Sequence, residues 1–183
     1  RSPIIDESGK KVNAKALTLK EVVKIPGVKE ILICFFCYCA LEQTAGLWAS
    51  SYLTLYKGVP AEISAKYACL FFVGITIGRA ASGFITMKLN DVQMIRLGQT
   101  LIGCGIIILI LPLSATISLT GFVIIGLGCA PIYPCIIHST PEHFGADRSQ
   151  SIIGIQMAFA YIGTCLMPPI FGFIANHISV ALL

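Results

Sequence analysis

Glu42 is the residue whose placement most needs a chemical reason. Eleven uncharged residues precede it (31–41) and fourteen follow it (43–56). A segment of that length and apolarity can cross a hydrocarbon core of ~30 Å. A carboxylate near the centre of such a core costs about 2.5–3.5 kcal/mol even on the lenient insertion scale. The group therefore needs a cavity, a partner or a proton. A carboxyl so placed can carry a proton or accept a hydroxyl of a bound solute. The alternative is a neutral Glu hydrogen-bonded to the next helix. Tyr38 lies one turn earlier on the same face, and Gly46 and Ala49 continue that face with little bulk. Trp48 reads either as a stacking surface for a solute or as an interfacial anchor. Tyr52 and Tyr56 read as interfacial belt residues.

A second charge sits in the next apolar segment. Arg79 follows Gly74 and Gly78 and precedes Gly83 in the run Gly-Ile-Thr-Ile-Gly-Arg-Ala-Ala-Ser-Gly. Small residues at this spacing let another helix approach closely, so Gly74, Gly78, Arg79 and Gly83 form a packing or gating motif. Arg79 lies nine residues before Lys88, and Glu42 lies twelve after Glu30. Those offsets correspond to depths of ~14 Å and ~18 Å. A pair between the two is open, but the preferred reading has the long Arg79 side chain reaching back to the membrane surface.

The stretch from Gly126 to Pro134 carries Pro131 and Pro134 three residues apart. Each proline removes a backbone donor, which lipid tolerates only where the backbone is buried in protein or lines a cavity. A hinge or binding-site break and a simple packing kink are both open, and Tyr133 is expected to face the interior. The next segment holds Gly163, Pro168, Pro169 and Gly172, with Gln156, Tyr161 and Thr164 as buried polar candidates. His138 reads as a residue near a loop, and His143 and His177 as loop residues.

The elements that position these groups follow from apolar run lengths. The spans are expected at about 30–56, 67–87, 92–111, 116–139 and 149–176, with 178–183 as the start of a sixth. Positions 97–141 contain no Asp, Glu, Lys or Arg, but are too long for one span, and Pro112 with Ser114 divides them. Residues 1–29 form a polar, basic linker with a short surface helix, in which Thr18 and Glu21 make a capping box and Leu19, Val22 and Val23 an apolar face. The fold class is an all-α membrane bundle.

Composition excludes most other functions. Hydrophobic residues are 56% of the 183 and charged residues only 12%, against about 45–50% and about 25% in soluble domains. An ordinary soluble enzyme, a disordered tail and a nucleic-acid-binding domain are excluded. No paired-carboxylate, phosphate-loop or nucleophile-elbow pattern appears, so no enzyme, cofactor or metal is expected. All eight cysteines lie in apolar runs, where Cys behaves as a small hydrophobe. With the linker inside, eleven of the thirteen Lys and Arg residues fall on the inner side and two, Lys57 and Lys66, outside. That bias orients residues 1–29 to the cytoplasm of a cell-membrane protein. The start at Arg1 and the short final segment suggest a piece of a larger protein.

A basic linker followed by hairpins with Gly-Arg-x-x-x-Gly before a basic inner loop resembles the C-terminal half of a major facilitator superfamily transporter. Tyr38-Cys39-Ala40-Leu41-Glu42-Gln43-Thr44-Ala45-Gly46-Leu47-Trp48 is similar to the seventh helix of the fucose/glucose-type sugar:proton symporter branch. Ala130-Pro131-Ile132-Tyr133-Pro134, leading to Pro141-Glu142-His143-Phe144-Gly145, is similar to that branch's tenth helix and following loop. The resemblance implies twelve helices in two six-helix halves, with the site between them at the midplane. It implies a lipid bilayer, the N-terminal half, a proton and a small solute, a sugar, as partners. The main coupling carboxylates of that branch would lie in the other half. Glu42, Tyr38, Trp48, Tyr133, Gln156 and Tyr161 are the expected binding or coupling residues, with Pro131 and Pro134 at the gate. A drug or metabolite exporter of the same superfamily, and a membrane-embedded sensor or assembly module, are the competing readings.

Overall fold

The computed structural model describes residues 17–86, 88–111 and 115–183, together with two short strands. Ile4–Ile5 (β1) pairs antiparallel with Lys11–Val12 (β2), Ile4 facing Val12. The remaining residues before 17, and the turn expected at Pro112 and Ser114, lie outside the described residues. Among the described residues, the elements after β2 are helices: α1 (Leu19–Val22), α2 (Val28–Leu55), α3 (Ala61–Ile85), α4 (Asp91–Ile110), α5 (Ala115–Cys129), α6 (Ile132–Phe144) and α7 (Ala146–His177).

Among the described residues, five segments are long and apolar enough to cross a membrane: α2, α3, α4, α7 and the composite Thr120–Phe144, which joins most of α5 to α6. Their outer faces carry apolar side chains such as Ile33, Ile77, Phe84, Ile107 and Phe173, all more than half exposed. That arrangement suits lipid or another protein surface and not water.

Each helix begins where the chain chemistry dictates. α1 carries the expected capping box, the Thr18 backbone N–H donating to Glu21 Oε2 at 2.8 Å. Its inward side chain is Val22, fully buried against Val28, Leu32 and Ile152, whereas Leu19 turns outward. Gly27 adopts φ 85, a left-handed conformation that ends the turn after α1 and lets α2 start at Val28. α3 starts at Ala61, earlier than the apolar run suggests, because Glu62 and Lys66 occupy its first turns as a pair 3.5 Å apart. Asn90 caps α4, accepting from the Gln93 N–H at 2.9 Å.

The expected inner loop at 140–148 is almost absent. α6 continues through Pro141 to Phe144, and Gly145 at φ 86 joins it directly to α7. His143 is therefore helical, its Nδ1 2.8 Å from Ser139 O. His177 likewise ends α7 and not a loop. Residues 178–183 form a single 3-10 turn, Val180–Leu182, with Ser179 Oγ accepting from the Ala181 N–H at 3.0 Å.

The main core runs along α2, α3, α5, α6 and α7, through Phe35, Tyr38, Phe71, Ile75, Ile125, Cys129, Ile132 and Ala160. α5 packs against both α3 and α4 by backbone approach. A Cβ on Gly128 would lie 2.7 Å from Gly98 O, and one on Gly105 would lie 2.8 Å from Gly121 O. On the α3 side, a Cβ on Gly126 would lie 2.4 Å from Phe71 O, and one on Gly78 2.5 Å from the Ala130 Cβ. Gly74 faces Val123 O at 3.0 Å in the same way. Gly83 does not share that role: a Cβ there would meet nothing within 4 Å. The small-residue motif thus packs through Gly74 and Gly78, one turn apart, while Gly83 lies beyond the crossing.

Candidate functional site

Glu42 sits midway along α2, its side chain about one-fifth exposed. Arg79 on α3 donates from Nη2 to Glu42 Oε1 at 3.2 Å. The preferred expectation for Arg79 is therefore corrected, because its guanidinium turns to the carboxylate instead of the membrane surface. Two opposite charges at matched depth on neighbouring helices each relieve the other's desolvation, which a lone snorkelling side chain cannot do. The second carboxylate oxygen, Oε2, is hydrogen-bonded to the Tyr38 hydroxyl, one turn away on α2. Tyr38 is buried and its hydroxyl also reaches Cys129 O at 2.8 Å.

Cys129 is the last residue of α5, and its carbonyl faces the break in the fourth span. Pro131 at φ −79, ψ −20 keeps the chain running in the helical direction. It has no N–H for Leu127 O, and Pro134 has none for Ala130 O. The ladder resumes at Cys135, whose N–H donates to Pro131 O at 3.2 Å. The weakened ladder expected between Gly126 and Tyr133 is thus present at Ala130–Pro131, where α5 gives way to α6.

Glu42 and Arg79 border a cavity of about 130 Å³ between α2, α3, α6 and α7, lined also by Gln43, Tyr133, Tyr161 and Thr164 among others. Tyr133 is half-buried; its ring lies 5.0 Å from Phe35 and its hydroxyl donates to Met157 Sδ at 2.9 Å. Tyr161 borders the cavity, but most of its surface is exposed, correcting its reading as a buried polar group. Arg79 and Tyr133 also border a larger cavity of about 640 Å³, with Ser82, Thr86, Asn90 and His138. Arg79 therefore divides two spaces. At the edge of the larger one, His138 Nδ1 lies 2.7 Å from Asp91 Oδ2 and ties α6 to the start of α4.

Two expected site residues fall elsewhere. Gln156 is fully buried, and its Nε2 donates to Thr140 Oγ1 at 3.1 Å; it clamps α7 to α6 and does not line the cavity at Glu42. Trp48 donates from Nε1 to Pro168 O at 3.1 Å, and its ring meets Phe171 edge-on at 5.4 Å. It borders a separate cleft between α2 and α7, which shares Thr164 with the cavity at Glu42. Tyr52, expected in an interfacial belt, is buried against Phe122, whereas Tyr56 is exposed.

Gln43, Thr164 and Met157 join the cavity without having been assigned to it. The signal was in the spacing of α7: Met157, Tyr161 and Thr164 recur at one helical face, and Gln156 is one residue out of register. Among the described residues, no three His, Cys, Asp or Glu side chains gather as metal ligands.

Comparison with known proteins agrees with this architecture. The profile of the Major Facilitator Superfamily matches residues 3–180. The chain is 27% identical over 156 residues to an uncharacterized MFS-type transporter of Yersinia pestis, covering 81% of this chain. The chain spans 38% of the length of that relative. No solved structure matches it. Five membrane-length helices, a glycine-packed third and fourth span, a proline-broken fourth span and a match over almost the whole chain lead to one statement: the chain belongs to the Major Facilitator Superfamily, a family of membrane transporters.

Proposed function

We propose that this chain is the C-terminal half of a secondary active transporter that moves a small hydrophilic solute, a sugar, by proton-coupled alternating access. The observation that carries the reading is the Glu42–Arg79 pair at the edge of a cavity between α2, α3, α6 and α7. A lone carboxylate at that depth is expensive, and Glu42 offsets the cost with a cationic partner and a place at the edge of a cavity. Gln43, Tyr133, Tyr161 and Thr164 offer hydroxyl and amide partners to a polar solute. A lipophilic-drug exporter would suit a lining of Phe, Leu and Met, so the polar lining favours the sugar reading. The remaining half of the site would come from an N-terminal six-helix half across the exposed faces of this bundle. The linker at 1–29 lies in the cytoplasm in this reading, as the basic bias directs.

The test is uptake by proteoliposomes holding the whole protein, with a panel of neutral sugars and an imposed inward proton gradient. Uptake of a sugar that rises with the gradient is the expected result. Gradient-independent uptake, or transport confined to lipophilic cations, would assign the protein to another branch of the family.

A further inference from the structure

The Tyr38 hydroxyl is in hydrogen-bond contact with two acceptors, Glu42 Oε2 and Cys129 O at 2.8 Å, and it owns one proton. A backbone carbonyl can only accept. When Glu42 is ionised, both of its oxygens accept, so Tyr38 must donate to Oε2 and Cys129 O goes without that donor. When Glu42 is neutral with its proton on Oε2, that proton donates to Tyr38 Oη. Tyr38 is then released to donate to Cys129 O. In both states Oε1 still accepts from Arg79 Nη2. One proton taken up from water therefore reverses the Glu42–Tyr38 hydrogen bond and makes the one from Tyr38 to Cys129 O, while the Arg79 bond is kept.

We propose that Tyr38 is a positioning residue that converts the protonation of Glu42 into a hydrogen bond on the break of the fourth span. Cys129 O lies where Pro131 and Pro134 have already removed two ladder donors, so an added tie there weighs more than it would within an intact helix. Protonation of Glu42 fastens α2 to the end of α5, and deprotonation loosens it. The other titratable or charged groups facing this point are Arg79 from α3, Cys39 on α2, the Cys129 thiol on α5, Tyr133 on α6 and Tyr161 on α7. None of them is a second acceptor of the Tyr38 proton among the described hydrogen bonds. This inference rests on the reading of Glu42 as a proton-exchanging group and adds which hydrogen bond its protonation forms at the break.

The test is hydrogen–deuterium exchange of the whole protein in lipid nanodiscs, followed on the peptide covering 126–136. Exchange times are scaled so that intrinsic rates match at acid and neutral pH. In the wild type, exchange at the break is expected to be about fivefold slower at acid pH, the size of one added hydrogen bond. Tyr38→Phe keeps the ring and removes the relay, so the two pH values should give the same exchange. Glu42→Gln donates from its amide to Tyr38 at every pH and should be as slow as the acidic wild type throughout. A peptide from 148–155 serves as the folding control in each variant. Wild-type pH dependence that vanishes in Glu42→Gln but persists in Tyr38→Phe would overturn the relay while leaving Glu42 as the titrating group. No pH dependence in the wild type would overturn both.

Discussion

The two halves of the fourth span are held by different physics. α5 is fixed through its backbone: Gly121, Gly126 and Gly128 lie so close to α4 and α3 that carbonyl oxygens occupy the space of absent side chains. α6 is fixed through side chains: Tyr133 to Met157, Thr140 to Gln156 and His138 to Asp91. Backbone contacts at van der Waals distance cannot be altered by a proton, because they involve no titratable group. A side-chain tie that includes a titratable group, as His138–Asp91 does, can. The break at Ala130–Pro131 separates the stiff half from the adjustable one, and the Glu42–Tyr38 pair touches the chain at that boundary. The comparison explains why the charged residues cluster beside the break and why α5 needs none of its own.

The difference is sharpest at the glycines. Gly128→Val should destabilise the protein by about 3 kcal/mol, because the added atoms collide with backbone atoms of Gly98 and Ile102 that cannot yield as a flexible side chain would. Gly83→Ala should do the opposite, raising stability by about 0.5 kcal/mol, since its Cβ enters open space in a helix interior. Thermal unfolding of the two variants in detergent would check both signs. A mild Gly128→Val would show that the α4–α5 contact is looser than its distances imply.

Arg79→Ala removes the partner of Glu42 and should cost about 2 kcal/mol, below the range of a fully buried pair because Arg79 is half exposed. Adding Glu42→Gln to it should recover part of that loss, which a thermal-stability double-mutant cycle would read. Additive losses would mean that the two side chains do not interact.

Thr140→Val leaves the buried Gln156 amide short of one acceptor and should cost about 1–2 kcal/mol by the same measurement. Asp91→Asn should cost least, under about 1 kcal/mol, because the side chain of its partner His138 is about three-quarters exposed. If Asp91→Asn cost more than Thr140→Val, α6 would be anchored mainly at its α4 end.

Much of this was legible in the sequence, for reasons that differ by residue. The helices follow from apolar run length, which lipid enforces. Glu42 and Tyr38 follow from a spacing of four, and Pro131 and Pro134 from their missing N–H groups. Arg79 was harder. Its depth matched that of Glu42, but run length gives depth and not rotation about the helix axis, so snorkelling and pairing looked alike. Gln156 and Tyr161 are five residues apart and cannot share a helical face, and that spacing already implied that they could not both border one cavity. Trp48 could not be placed in advance, because its partner, Pro168 O, belongs to a helix 120 residues on. The early start of α3 was hidden by Glu62 and Lys66, whose charges hold off the apolar run until after the helix has begun.

The central claim is that Glu42 exchanges a proton as part of transport. The direct measurement compares accumulation of a transported sugar with counterflow exchange for wild type and Glu42→Gln, using the whole protein in proteoliposomes. Glu42→Gln keeps the shape and hydrogen bonding of the side chain but cannot release a proton. Accumulation against a gradient should be lost while exchange is spared. Wild-type accumulation with wild-type affinity in the variant would contradict the account and leave Glu42 as a structural partner of Arg79 and Tyr38.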